Sequence, residues 1–314
     1  MTGTLNQNSK QLLKHIEASL SAFQSSNRPF RILSSSRTTE TAAAPLPKTL
    51  FILDSSYNPP SKAHFALAYA ALAGPSAQRE PKPHRLLLLF STQNADKAAK
   101  PASFSQRLAM MGRLMEDLAS EIGKVRKDEN VDIDIGVTTS PYYVGKSQAI
   151  EACDPPAYPS KPNHVHIIGY DTVTRLLASR YYPDHHPPLS ALEPYFCAGH
   201  KLLVALRPLS SSENMQDAGS QGIDEQTEYI RKLGEDALEA EGFKREWAAQ
   251  ISVLEGEDLG SAIGISSTAI RNAVSEEDWT AVGKLCTPGV TTWLKEERPY
   301  ENSSQDVEQK SKMS

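Results

Sequence analysis

FILDSSYNPPSKAHFAL, residues 51–67, decides how the rest of the chain is read. Apolar residues with strand character stop at Asp54, and a serine pair and a Tyr-Asn-Pro-Pro turn follow. A helix then opens at Ser61 and carries His64 one turn in. Small residues at Ser55 and Ser56 let the backbone approach a ligand, and the two prolines stiffen the corner. Free amides at the start of a helix favour a phosphate, and a histidine in the first turn can face the same anion. A capped helix with a half-buried histidine is the ordinary reading of each part alone, but the whole decapeptide 55–64 is far less generic.

Working outward, continuous apolar strands are expected at 48–54 and 84–92 (HRLLLLFST), of the kind buried on both faces of a parallel sheet. Further strands are expected at 131–139, 164–169, 201–207 and near 251. Helices are expected at 61–73, 103–120, 171–180 and 189–197, from the end of a polar loop to about Glu241, and within 266–296. The 103–120 helix places Phe104, Leu108, Met111, Met115 and Leu118 on one face, and Ser103 with Gln106 forms a capping-box pattern. Strands alternating with helices predict an α/β, Rossmann-like doubly wound parallel sheet with helices on both faces. Ligands of such sheets bind beyond the C-terminal strand ends, where both the opening stretch and Gly169-Tyr170-Asp171 fall.

Residues 9–23 predict an amphipathic helix with Leu12, Leu13, Ile16, Leu20 and Phe23 on one side, and 34–48 reads as a linker. The expected organisation is a helix and linker over 1–47, a main domain over 48–300 with a polar loop at 208–226, and a disordered tail over 301–314. The chain has 314 residues, 39% hydrophobic and 23% charged, enough for a substantial core. Its net charge of -5 argues against broad capture of nucleic acid or anionic membrane. No apolar run approaches a bilayer span, and nothing at the start resembles a secretory segment. Cys153, Cys197 and Cys286 lie far apart, which fits neither a disulfide framework nor a zinc site. The expectation is a cytoplasmic protein, with nuclear entry and oligomeric state left open.

A second polar constellation is GISSTAIRNAV, residues 264–274. Ser266, Ser267 and Thr268 suit a helix start, and Arg271 falls one turn inside it. Hydroxyls, free amides and a guanidinium together make a compact polyphosphate site. Taken alone, this is equally a capped surface helix with an incidental arginine.

Together the two segments resemble the nucleotidylyltransferase superfamily, whose motifs are (G)SFNPx(H/T)xxH and ISSTxxR. Within it the chain looks like the nicotinamide mononucleotide adenylyltransferase family, in particular a divergent fungal and plant branch with LDSSFNPP at this place. Ser61 stands where eukaryotic members carry a hydroxyl in place of the first histidine, and CTPGVTTWLKEERPY (286–300) is similar to their C-terminal stretch. The resemblance covers about 48–300. It implies transfer of the adenylyl group of ATP to nicotinamide mononucleotide, giving NAD and pyrophosphate, with Mg2+ bound on the ATP phosphates. By the same resemblance His64 and Arg271 are catalytic. ATP would be held by Ser55, Ser56, Tyr57, Ser61, His64, Gly169, Asp171, Ser266, Ser267, Thr268 and Arg271. Lys97, assisted by Arg107, would meet the mononucleotide phosphate, with Lys146 near it.

The chain departs from the pattern with Ser55 for glycine, Tyr57 for phenylalanine and no tryptophan before Trp247. Tyr142 or Tyr143, or the pair Tyr181-Tyr182, are therefore the candidates to stack on a cationic pyridinium. A cytidylyltransferase, an adenylyltransferase of another phosphomonoester, or a catalytically weak nucleotide-binding regulator stay open. KSKMS at 310–314 resembles the signature loop of class I aminoacyl-tRNA synthetases, but it ends a polar tail rather than following a catalytic sheet.

Overall fold

The computed structural model describes residues 2–37, 45–93, 101–127, 129, 131–207, 222–235, 237–256, 259 and 264–300, with the side chains of 2–10 and Leu12 outside that description. In chain order the elements are α1 (Thr2–Gln24), β1 (Phe30–Ser35), β2 (Thr49–Asp54), α2 (Lys62–Ala73), α3 (Pro75–Gln78) and β3 (His84–Ser91). There follow α4 (Phe104–Val125), β4 (Asp132–Thr138), α5 (Tyr143–Glu151), β5 (Asn163–Gly169), α6 (Tyr170–Leu176), α7 (Glu193–Cys197) and β6 (Lys201–Ala205). The chain closes with α8 (Ile223–Lys232), β7 (Ile251–Val253), α9 (Ser267–Ser275), α10 (Trp279–Leu285) and α11 (Pro288–Glu297).

The seven strands run in the order β1-β4-β3-β2-β5-β6-β7, all parallel except β1 against β4. The order reverses at β2, which pairs with β3 on one side and β5 on the other, so the crevice of a doubly wound sheet opens beyond Asp54 and Gly169. The predicted α/β class is what the structure shows.

The side-chain period of two explains why β2 and β3 are apolar throughout. Phe51, Leu53, Leu86 and Leu88 pack into the core that holds α2, α4 and α11. Leu50, Ile52, Leu87 and Leu89 point the other way, into a cluster with Ala149 and Ile150 of α5. A third cluster gathers Ile168, Leu202 and Val204 with Val173, Phe196 and Trp247. α4 starts at the predicted box: Ser103 Oγ accepts from the Gln106 amide at 3.2 Å, and Gln106 Oε1 accepts from the Ser103 amide at 2.8 Å.

The expectation of only a helix and linker before residue 48 misses a strand. β1 joins the sheet as its antiparallel edge, and Ser34 and Ser35, read as linker, pair with β4. Phe30 is fully buried over Gly136, where an added Cβ would lie 2.8 Å from the Phe30 ring. Burying such a side chain stabilises by about 1.5–3 kcal/mol, which competes well with the weak strand signal of a short Ser-flanked segment. α1 also belongs to this body, with Leu20 and Phe23 buried in the α2/α4 core. Most of the polar loop read at 208–226 and the whole 301–314 tail lie outside the described residues, while 223–226 already belong to α8. Among the described residues no helix is long and apolar enough to cross a membrane.

Candidate active site

The turn after β2 is held from inside. Tyr57 takes φ +44°, a left-handed conformation uncommon for a bulky residue, and its buried hydroxyl donates to the Leu53 carbonyl at 2.6 Å. That bond uses the oxygen that distinguishes Tyr57 from the phenylalanine of the motif. Ser61 is the N-cap of α2, and its amide donates to His64 Nδ1 at 3.0 Å, with its Oγ 2.9 Å from the same nitrogen. A backbone amide can only donate, so Nδ1 carries the lone pair and the proton sits on Nε2. Nε2–H therefore donates to Ser55 Oγ, 2.8 Å away. Burial lowers the His64 pKa to about 4, so the ring is neutral at pH 7 and acts as an oriented hydrogen-bond donor.

The second motif folds back on this corner. Ser266 caps α9 by accepting from the Ala269 amide at 3.1 Å. Arg271 donates from Nη1 to the Asn58 carbonyl at 2.8 Å and from Nη2 to Thr268 Oγ1 at 2.9 Å. Ser267 Oγ is 3.5 Å from the Pro59 carbonyl. Residues some 200 positions apart are thus one local unit.

A cleft of about 880 Å³ opens at the C-terminal edge of the sheet, in the range of small-molecule sites. Ser55 and Ser56 line it beside Asp54, Phe90, Phe104, Arg107, Lys146, Thr172, Arg175 and Tyr181. His64 and Arg271 are not among the lining residues; His64 stands behind Ser55, whose hydroxyl proton stays available to the cleft.

Arg107 is buried at 5% exposure, donates from Nε to the Ala102 carbonyl at 3.0 Å, and leaves Nη2 without a partner. Burial lowers its pKa, Tyr300 raises it and the neighbouring Arg271 charge lowers it. A buried guanidinium nitrogen without an acceptor, next to a second cation, is an electrostatic vacancy for an anion.

Other expected residues fall differently. Lys146, expected near a phosphate, makes a buried ion pair with Asp54 at 2.5 Å, its ammonium 4.9 Å from the Tyr143 ring centroid. Tyr143 is half-buried beneath it, its ring against His166 at 5.3 Å, and Tyr142 is exposed at the start of α5. Neither tyrosine lines the cleft. Tyr181 does, with the Arg180 guanidinium 5.1 Å from its ring, whereas the Tyr182 hydroxyl donates to the Leu176 carbonyl. Asp171 opens α6 and pairs with Arg207 at 3.0 Å on the surface. A Cβ on Gly169 would meet no protein atom within 4 Å, so the end of β5 leaves open room. Lys97 lies outside the described residues.

Asp54 and the cleft-facing role of Phe104 escaped the sequence reading. Asp54 offered one signal, an acid closing an apolar strand, and Phe104 was expected on the core face of α4.

The strand order and the switch-point cleft define an α/β protein of the Rossmann-like, doubly wound class. No family model matches the chain. The likeness to the nicotinamide mononucleotide adenylyltransferase family nevertheless extends over most of it. A protein of Schizosaccharomyces pombe described as "Putative nicotinamide mononucleotide adenylyltransferase" is 26% identical over 255 residues, 81% of this chain and 86% of that one. Among solved structures, Plasmodium falciparum nicotinic acid mononucleotide adenylyltransferase complexed with APC is similar at TM-score 0.46 and 10% identity, over 81% of this chain and 98% of its own. Thermotoga maritima TmcAL bound with alpha-thio ATP is similar at TM-score 0.36 and 16% identity, over 80% and 56%.

Proposed function

We propose that the protein is a nucleotidylyltransferase that transfers the adenylyl group of ATP to nicotinamide mononucleotide, forming NAD and pyrophosphate. The observation that carries this reading is the Arg271 bond to Asn58, which brings the two phosphate-type motifs together beside the cleft. The 26% identical relative supports it.

In this reading a phosphate oxygen of the mononucleotide attacks the α-phosphorus of ATP. A P–O bond forms there as the bond to the β-phosphate oxygen breaks, and pyrophosphate leaves with the electron pair. No covalent enzyme intermediate is needed, so the protein supplies alignment and charge stabilisation. The Ser55 hydroxyl, oriented by the Nε2–H of His64 behind it, donates to an α-phosphate oxygen, where charge builds. Arg271, Ser266, Ser267 and Thr268 hold the β- and γ-phosphates. Arg107, which lines the cleft, offers its guanidinium charge to the mononucleotide phosphate. Asp171 exchanges its exposed partner Arg207 for the adenosine ribose, a change that costs little because surface ion pairs contribute about 0–1 kcal/mol. Phe104 and Tyr181 offer aromatic faces to the pyridinium.

Mg2+ would be supplied bound to the ATP phosphates. Of the described carboxylates at the cleft edge, Asp54 and Asp171 are both already paired, so the metal would be carried mainly by phosphates and water. When bound it neutralises phosphate charge.

Purified protein incubated with labelled ATP or CTP and a panel of phosphomonoester acceptors tests the assignment. Labelled NAD from ATP and the mononucleotide is expected. Turnover of another acceptor or of CTP, with no NAD, would replace it by another nucleotidylyltransferase activity.

A further inference from the structure

The strained corner after β2 is held from the far end of the chain. Arg271 binds the Asn58 carbonyl at 2.8 Å, and Cys286 Sγ lies 3.6 Å from the Pro60 carbonyl. Tyr300, the last described residue, donates from its hydroxyl to Asn58 Oδ1 at 3.0 Å. Both partners of that bond are buried, Tyr300 at 1% and Asn58 at 6% exposure. Asn58 is therefore gripped twice, by its side chain and by its carbonyl, immediately after the left-handed Tyr57.

We infer that Tyr300 is a positioning residue for the transfer reaction: its hydroxyl fixes Asn58, and the Asn58 carbonyl in turn sets the plane of the Arg271 guanidinium. The inference rests on the proposed role of Arg271 at the ATP phosphates. Packing alone does not explain the hydroxyl, because a phenylalanine ring would fill the same space among the core residues. The Arg271 fork has two fixed acceptors, the Asn58 carbonyl and Thr268 Oγ1, and these leave its other N–H groups in a set direction. Releasing the Asn58 side chain frees the peptide that carries one of the two acceptors. The guanidinium can then turn, and catalysis by alignment is sensitive to shifts well below 1 Å. Burial pushes the Tyr300 phenol well above its usual range, so it remains a donor across the working pH.

The test is a double-mutant cycle in the full chain, Tyr300→Phe, Arg271→Ala and both together, read as kcat/KM for ATP. Tyr300→Phe is expected to lower kcat/KM about tenfold alone, the scale of one hydrogen bond carried into the transition state, and less than twofold in the Arg271→Ala background. An equal drop in both backgrounds, the mark of a merely structural role, or no drop in either, would overturn the inference. Should wild-type protein turn over no acceptor, the proposed function fails instead. The same cycle is then read as calorimetric affinity for a non-hydrolysable ATP analogue: coupling between the two changes supports the inference, and additivity overturns it.

Discussion

Arg271 reaches back across 213 residues to donate to the Asn58 carbonyl at 2.8 Å. That bond turns two separately ordinary segments, a proline-rich corner and a capped helix, into one arrangement beside a cleft. Lysine carries the same charge but presents its N–H donors from one nitrogen in place of a planar fork. Arg271→Lys should therefore keep the fold and lower transferase kcat by at least about tenfold. Melting curves and steady-state kinetics on the same preparation check this; a variant with wild-type kcat would remove Arg271 from the machinery.

Arg107 gives a prediction of opposite sign for stability and function. Its free, buried Nη2 costs the unliganded protein something, since an unpaired buried polar group carries a penalty of about 1–3 kcal/mol. Arg107→Met should leave the melting temperature of the free protein unchanged or raised. It should also raise the KM for the mononucleotide at least about tenfold, because a charge-assisted bond to phosphate is lost. A lowered melting temperature with unchanged KM would mean that the guanidinium is structural.

In the Asp54–Lys146 pair Lys146 is buried and Asp54 mostly so, and removing Asp54 strands the buried ammonium. Asp54→Asn should destabilise by about 3–5 kcal/mol. Adding Lys146→Met should restore much of that loss, measured as urea unfolding midpoints at constant m-value. Equal destabilisation in the single and double variants would contradict the account of the pair.

Acid should weaken the fold. Burial lowers His64 to about 4, His164 to about 3, His166 well below its ordinary value, and His200 as well. His64 and His164 are neutral when folded and take up a proton when unfolded below about pH 6.5, so their contribution to stability is complete above that pH and falls as pH drops through the window toward 4. His64 and His164 alone each remove about 2 kcal/mol between pH 7 and pH 5. Thermal melts at those two pH values should differ by many degrees, and a pH-independent midpoint would show that these rings are not neutral in the folded state.

Much of this was legible in the sequence wherever local chemistry decides structure. The continuous apolar runs placed β2 and β3, the Ser103–Gln106 box placed α4, and Ser61 with His64 one turn later placed the start of α2. The Arg271 helix was legible from its hydroxyl cap. What escaped depends on partners distant in sequence. β1 exists because Phe30 fits over Gly136, more than 100 residues later, and its own strand signal fades into the Ser-rich stretch that follows. Lys146 was assigned to a phosphate because a lysine's partner cannot be read without knowing that α5 lies across Asp54. That Tyr143 packs against His166 rather than lining the cleft is likewise a tertiary fact.

The central claim is that His64, donating from Nε2–H to Ser55, orients the Ser55 hydroxyl that stabilises the α-phosphate in adenylyl transfer. The most direct measurement is product formation from ATP and nicotinamide mononucleotide by wild-type protein and by His64→Ala, with pyrophosphate and dinucleotide quantified together. The account predicts equimolar products from wild type and a loss of about 10²–10³ in kcat for the variant, the cost of removing one preorganised donor. Undiminished turnover by His64→Ala would contradict it.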